Sequence, residues 1–166
     1  APQPSAPAFL APTPQPAPAP EPSVAAPAFL APKAAEPTPG LVAEPQVPSG
    51  RFLTALEVKP ILNATKSNWV SVREYGGQDL LYVTHLWSWR CGLLEMRIGL
   101  NGAAPEIWPL PPCHVNQAAP AAILEGDGLP YREFPLRSVQ IIEVLLTYDD
   151  LTTAKVRFNR GGVVIP

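Results

Sequence analysis

His85, Cys91, Cys113 and His114 are the side chains of this chain best suited to hold a soft metal or to act as nucleophile and base. Together they would make a Cys2His2 set. Zinc sites of that kind draw on closely spaced ligand pairs, whereas here the cysteines lie 22 residues apart and a Trp-Ser-Trp step separates His85 from Cys91. Both cysteines sit in segments rich in aromatic residues or proline, and two cysteines in one domain are better read as a disulfide. A Cys91 to Cys113 bridge removes the thiolate that a Cys-His mechanism needs. His85 then reads as a strand-edge residue satisfied by one hydrogen bond. Asp149 and Asp150 read as turn chemistry rather than as a general acid and base. No Gly-rich phosphate loop, GxSxG elbow or HExxH helix occurs, so neither a catalytic residue nor a cofactor is expected.

A different chemistry is open to Trp87, Trp89, Trp108 and Tyr131, whose rings present apolar faces with a polar handle and suit a sugar or peptide ligand. If the strand runs through residues 87–89, Trp87 and Trp89 share a parity and form a two-ring platform. The competing role for the four rings is core packing and shielding of the disulfide.

These residues must be positioned by the folded part, which is organised around residues 79–101, DLLYVTHLWSWRCGLLEMRIGLN, read as core strand. The stretch is too interrupted by Thr84, His85, Arg90, Glu95 and Arg97 to cross a bilayer. Gly76-Gly77 suits a two-residue hairpin turn and sets a register with Tyr75 opposite Gln78, Val72 opposite Leu81 and Val70 opposite Val83. That register also sets Glu74 against Asp79, a like-charge pair tolerable only beside an exposed turn.

Leu94, Met96, Ile98 and Leu100 alternate with polar residues or glycine, as in a half-exposed strand. Residues 139–148, VQIIEVLLTY, are apolar on both parities, as in a central strand. A turn at residues 149–152 leads to a return strand with Ala154, Val156 and Phe158 inward, and Gly161-Gly162 bends the chain into residues 163–165. For residues 52–63 two readings are open, a short helix beginning near Pro60 and a strand at residues 55–58 followed by a single turn, and the strand is preferred. Residues 101–135 form a long irregular connection with short strands near 107–110 and 131–134. The expected fold is all-β, an antiparallel sandwich-like domain over residues 50–166, with a core of Val70, Val72, Leu81, Val83, Leu94, Met96, Ile142, Val144, Leu146, Val156 and Phe158.

Residues 1–49 are a different material. They hold 15 of the 24 prolines and 13 alanines against four charged side chains, a composition that disfavours collapse and favours an extended, disordered polyproline tail. Within it APAFLAP occurs twice, at residues 6–12 and 26–32, so Phe9-Leu10 and Phe29-Leu30 are candidate partner anchors. The tail carries a net charge of −2 and the domain none, with 11 basic and 11 acidic side chains. That balance lacks the basic stripe of a nucleic-acid binder and the polybasic cluster of an acidic-membrane binder.

The stretch NWVSVREYGGQDLLYVTHLWSWRCGLLEMRIGLNG, with WPLPPCH and SVQIIEVLLTYDD after it, resembles small bacterial hypothetical proteins, and the resemblance implies no activity. The reading that follows is a non-enzymatic interaction or structural module on a proline-rich arm. It would be periplasmic or secreted, as the Pro/Ala-rich opening and paired cysteines suggest, with an envelope protein or cell-wall component as partner. The alternatives are a carbohydrate or peptide binder using the aromatic platform and, third, a hydrolase without a recognisable motif.

Overall fold

Two antiparallel sheets carry the structure, a computed structural model describing residues 38–166. The first sheet has the order β1-β2-β5, from β1 (Ser71–Tyr75), β2 (Gln78–Tyr82) and β5 (Tyr131–Pro135). The second has the order β4-β3-β6-β7-β8, from β3 (Leu93–Leu100), β4 (Glu106–Ile107), β6 (Ile141–Tyr148), β7 (Thr153–Asn159) and β8 (Val164–Ile165). Both sheets contribute to one core in which Trp69, Leu81, Leu86, Met96, Ile142, Leu146 and Phe158 are all fully buried. The all-β, sandwich-like class read from the alternation is the one observed.

The Gly76-Gly77 hairpin takes the expected register from Tyr75 opposite Gln78 to Ser71 opposite Tyr82, both glycines having positive φ. The ladder ends there, so Val70 and Val83 are core residues outside it. The Glu74 and Asp79 pairing is real, but Asp79 is buried rather than exposed. Arg160 resolves the repulsion by binding both Asp79 oxygens, at 2.6 and 2.8 Å, and Glu74 at 2.9 Å. Those two arginine bonds, with further N–H donation from Val139 and Arg137, hold the Asp79 carboxyl well below the ordinary range despite its burial.

β6 is central, as its composition requires, and β7 turns Val156 and Phe158 inward while exposing Lys155 and Arg157. On β3 the expected alternation breaks. A register shift between Leu93 and Glu95 leaves Leu94 unpaired and only half-buried, so Leu93 joins Met96 in the core in its place. Val72, also expected in the core, packs against it from a partly buried position. Gly99 is required where it stands, because a Cβ would meet the Ala103 carbonyl oxygen at 2.4 Å.

Two helices replace expected strand. α1 (Ala55–Ala64) buries Ala55, Val58 and Leu62, one helical face, and carries Pro60 in its second turn. Thr54 makes no side-chain cap; the Ala55 N–H donates instead to Asp149 Oδ1 at 2.7 Å, and the Leu56 N–H to Gln46 Oε1 at 2.8 Å. Asp149 thus caps a helix 94 residues away, while Asp150 does the expected turn work by accepting from the Thr152 N–H and hydroxyl. α2 (Thr84–Ser88) interrupts the stretch read as continuous core strand, closed by the Trp87 N–H donating to Val83 O. A short apolar run has no period by which to tell strand from helix.

Residues 38–49, placed with the tail by composition, are bonded to the folded part. The Glu44 N–H donates to Asp149 O, Gln46 Nε2 to Asp149 Oδ1 and the Thr38 hydroxyl to Glu95. Phe9, Leu10, Phe29 and Leu30 lie outside the described residues.

Candidate functional site

The two tryptophans of the Trp-Ser-Trp step do not form the expected platform. Residues two apart share a face on a strand but stand about 200° apart on a helix. On the helical turn Trp87 therefore points into the core, 4% exposed, while Trp89 packs against the core's edge, half-buried. Trp108 is also buried, its ring face covered by the Arg132 guanidinium at 4.3 Å. Tyr131 packs on Tyr82, with ring centroids 4.9 Å apart. The four aromatic candidates thus occupy separate places: Trp87 and Trp108 serve the core, while Trp89 and Tyr131 remain accessible.

Around Trp89 a groove of about 490 Å³ is built from residues 50–52 on one side and residues 118–122 on the other. Its aromatic partner is Phe52, which carries no signal in the sequence pattern. The two rings meet edge to face at 5.3 Å, and Phe52 stays 43% exposed. Phe52 is held at φ 57°, the left-handed region that bulky residues avoid. The clamp is Glu57, whose carboxylate accepts from the Phe52, Leu53 and Ser49 N–H groups and the Ser49 hydroxyl. Against the opposing effect of desolvation, these bonds lower the Glu57 carboxyl from its ordinary 4.5 to about 2.

The far wall of the groove has no sheet to support it, and Arg90 and the disulfide take that part. Arg90, with its side chain 1% exposed, donates to the carbonyls of Trp87, Pro111, Pro112, Ala121 and Ala122 and lies 3.7 Å from Asp127. Desolvation lowers the Arg90 pKa, and the Asp127 charge opposes that shift. One residue on, Cys91 and Cys113 are bonded as expected, with Cα atoms 5.0 Å apart. Arg51 joins the near side to the same segment by donating to Val115 O and Gln117 O, each at 2.8 Å.

A second, more polar recess of about 420 Å³ lies on the other flank of α2, lined by Asn68, Ser71, Tyr82, Thr84, His85 and Ser88. Ser88 borders both recesses. His85 is half-buried rather than at a strand edge, but it does make a single side-chain bond, to the Thr65 hydroxyl at 2.8 Å. The Thr65 hydroxyl also lies 2.7 Å from Ile61 O. Desolvation lowers the His85 pKa.

His114 faces Asp127 at 2.9 Å. The Asp127 carboxylate, lowered first by the Leu124 N–H and then by His114, braces the same loop. With both sulfurs in the bridge, neither His85 nor His114 has a thiolate to activate. Among the described residues no group of three His, Cys, Asp or Glu side chains is placed to hold a metal ion. Among them, too, no helix is long and apolar enough to cross a membrane.

No protein-family model, no curated protein and no solved structure matches this chain.

Proposed function

We propose that the chain is a non-enzymatic, exported interaction module that meets an envelope protein or cell-wall component through the groove between Phe52 and Trp89. Its Pro/Ala-rich N-terminal sequence would serve as the tether. The observation that carries this reading is Phe52, a large apolar residue kept in an unfavourable backbone conformation with its ring held open to solvent against Trp89. Strain of order 1–3 kcal/mol at a residue that contributes little to the core supports a ligand-facing position. Export is supported by the disulfide, since such bonds persist in oxidising compartments.

The test is to probe peptide and glycan arrays with the full chain and with Trp89→Ala. A ligand held by the wild type and lost by the variant is expected. Equal binding by both, or none by either, overturns the reading.

A second reading, carbohydrate binding, has its own observation: the Tyr82 ring, packed on Tyr131, lines a recess with Ser71, Thr84, His85 and Ser88. It predicts glycan signals that depend on Tyr131 and not on Trp89.

A further inference from the structure

Resting on that reading, we propose that the occupant of the Phe52 and Trp89 groove is an APAFLAP sequence presented by a second copy of this chain. The groove is aromatic on one side and alanine and proline on the other, and it has no acidic side chain in its lining. Its single cation, Arg51, is turned to the carbonyls of Val115 and Gln117, and the Ser88 hydroxyl is bonded to Thr84 O. A charged ligand would therefore find no free partner of opposite sign. Trp89 itself is half-buried in this lining, edge to face with Phe52 at 5.3 Å.

An aromatic-lined groove is the arrangement that docks polyproline II strands, whose preformed backbone loses little entropy on binding. APAFLAP matches this lining point by point. It is uncharged, its Ala-Pro steps favour the extended helix, and its Phe-Leu pair offers a ring to Phe52 and Trp89. It stands twice in this chain, at residues 6–12 and 26–32, as a ligand sequence used twice would and as a spacer does not require. Thirty-seven residues precede the described part, which begins at Thr38 beside Glu95. As polyproline II they would extend about 115 Å, more than enough to reach a neighbouring molecule. Two copies can exchange these sequences reciprocally, and the second contact is then intramolecular.

Sedimentation velocity on the full chain over a range of concentrations tests the proposal, with two variants. Trp89→Ala removes the groove and keeps the ligand sequence. Replacing Phe9, Leu10, Phe29 and Leu30 with Ser does the reverse. The wild type should dimerise, each variant alone should stay monomeric, and an equimolar mixture of the two should form a heterodimer. Held by one contact instead of two, that heterodimer should be about 10²-fold weaker than the wild-type dimer.

Phe52→Gly is the variant that spares the fold, since glycine accepts its backbone angle, and it should also be monomeric. A monomeric wild type, or dimerisation of Trp89→Ala equal to the wild type, overturns the proposal. Should the arrays still give a Trp89-dependent ligand while the wild type stays monomeric, the interaction reading survives and this one falls.

Discussion

The β-ladders and the crossover from β4 to β5 solve one problem, pairing buried backbone, in opposite ways. In the ladders each strand supplies donors to its neighbour, so the sequence needs only the right alternation, and β6 between β3 and β7 needs little polar help. The crossover has no ladder between Trp108 and Pro130. Its carbonyls, several belonging to prolines or their neighbours, converge on the guanidinium of Arg90, with the disulfide beside it. A repeating pattern is robust to the loss of any one bond, whereas a hub is not. The accessible groove lies against the hub, since its wall includes Ala121 and Ala122, whose carbonyls Arg90 binds.

Arg90→Met should break the hub and carry the largest effect. It strands at least five carbonyls and leaves the Asp127 carboxylate without its arginine, which should cost about 3–5 kcal/mol in a denaturant titration. Leu146→Ala, in the fully buried centre of β6, should cost about 2–5 kcal/mol, so energy alone does not separate the two regions. Hydrogen exchange does. Arg90→Met should deprotect residues 108–130 while β6 and β7 stay slow, and Leu146→Ala should speed exchange through both sheets. Equal deprotection of both regions by Arg90→Met would end the distinction.

Replacing Cys91 and Cys113 with Ala together should cost roughly 3 kcal/mol, the closure entropy of a loop with a separation of 22 residues. The change should also loosen the groove wall. Retention of Trp89-dependent binding at the wild-type level would show that Arg90 holds that wall alone.

The same division governs what could be read from the sequence. The Gly76-Gly77 hairpin, the inward face of β7, the irregular crossover and the bridge were legible because each rests on neighbours in the chain or on a pairing with one possible partner. α1 was not, because its cap comes from Asp149 and Gln46 rather than from Thr54. The burial of Asp79 depends on Arg160, which no local pattern connects to it. Trp89 was found by its type, but its partner Phe52 was missed because a positive φ on phenylalanine leaves no trace in composition. The nearest available signal was Glu57, an acidic side chain five residues past Phe52 and eight past Ser49.

Phe52→Gly separates a ligand-facing ring from a structural one. It releases backbone strain of about 1–3 kcal/mol and loses an edge contact of about 0.5–1.5 kcal/mol. Stability should therefore stay within about 1 kcal/mol of the wild type, where loss of a core phenylalanine costs about 3–5 kcal/mol. A loss in that higher range would make Phe52 part of the core.

The smallest effect should be the most local, and it follows from Glu57. Against desolvation, the Ser49 hydroxyl and the N–H groups of Ser49, Phe52 and Leu53 lower the carboxyl from 4.5 to about 2 in the folded chain, so the folded state binds fewer protons than the unfolded one. The stabilisation is thus complete above about pH 4.5 and drains away as the pH falls toward about 2. What is lost first is the hold on Phe52, so Trp89 should report it as a shift in emission within that window while far-ultraviolet circular dichroism still shows intact sheets. Glu57→Gln should show the shifted emission already at neutral pH and lack the transition. If the wild type instead loses sheet signal together with the emission change, the groove has no separate stability of its own.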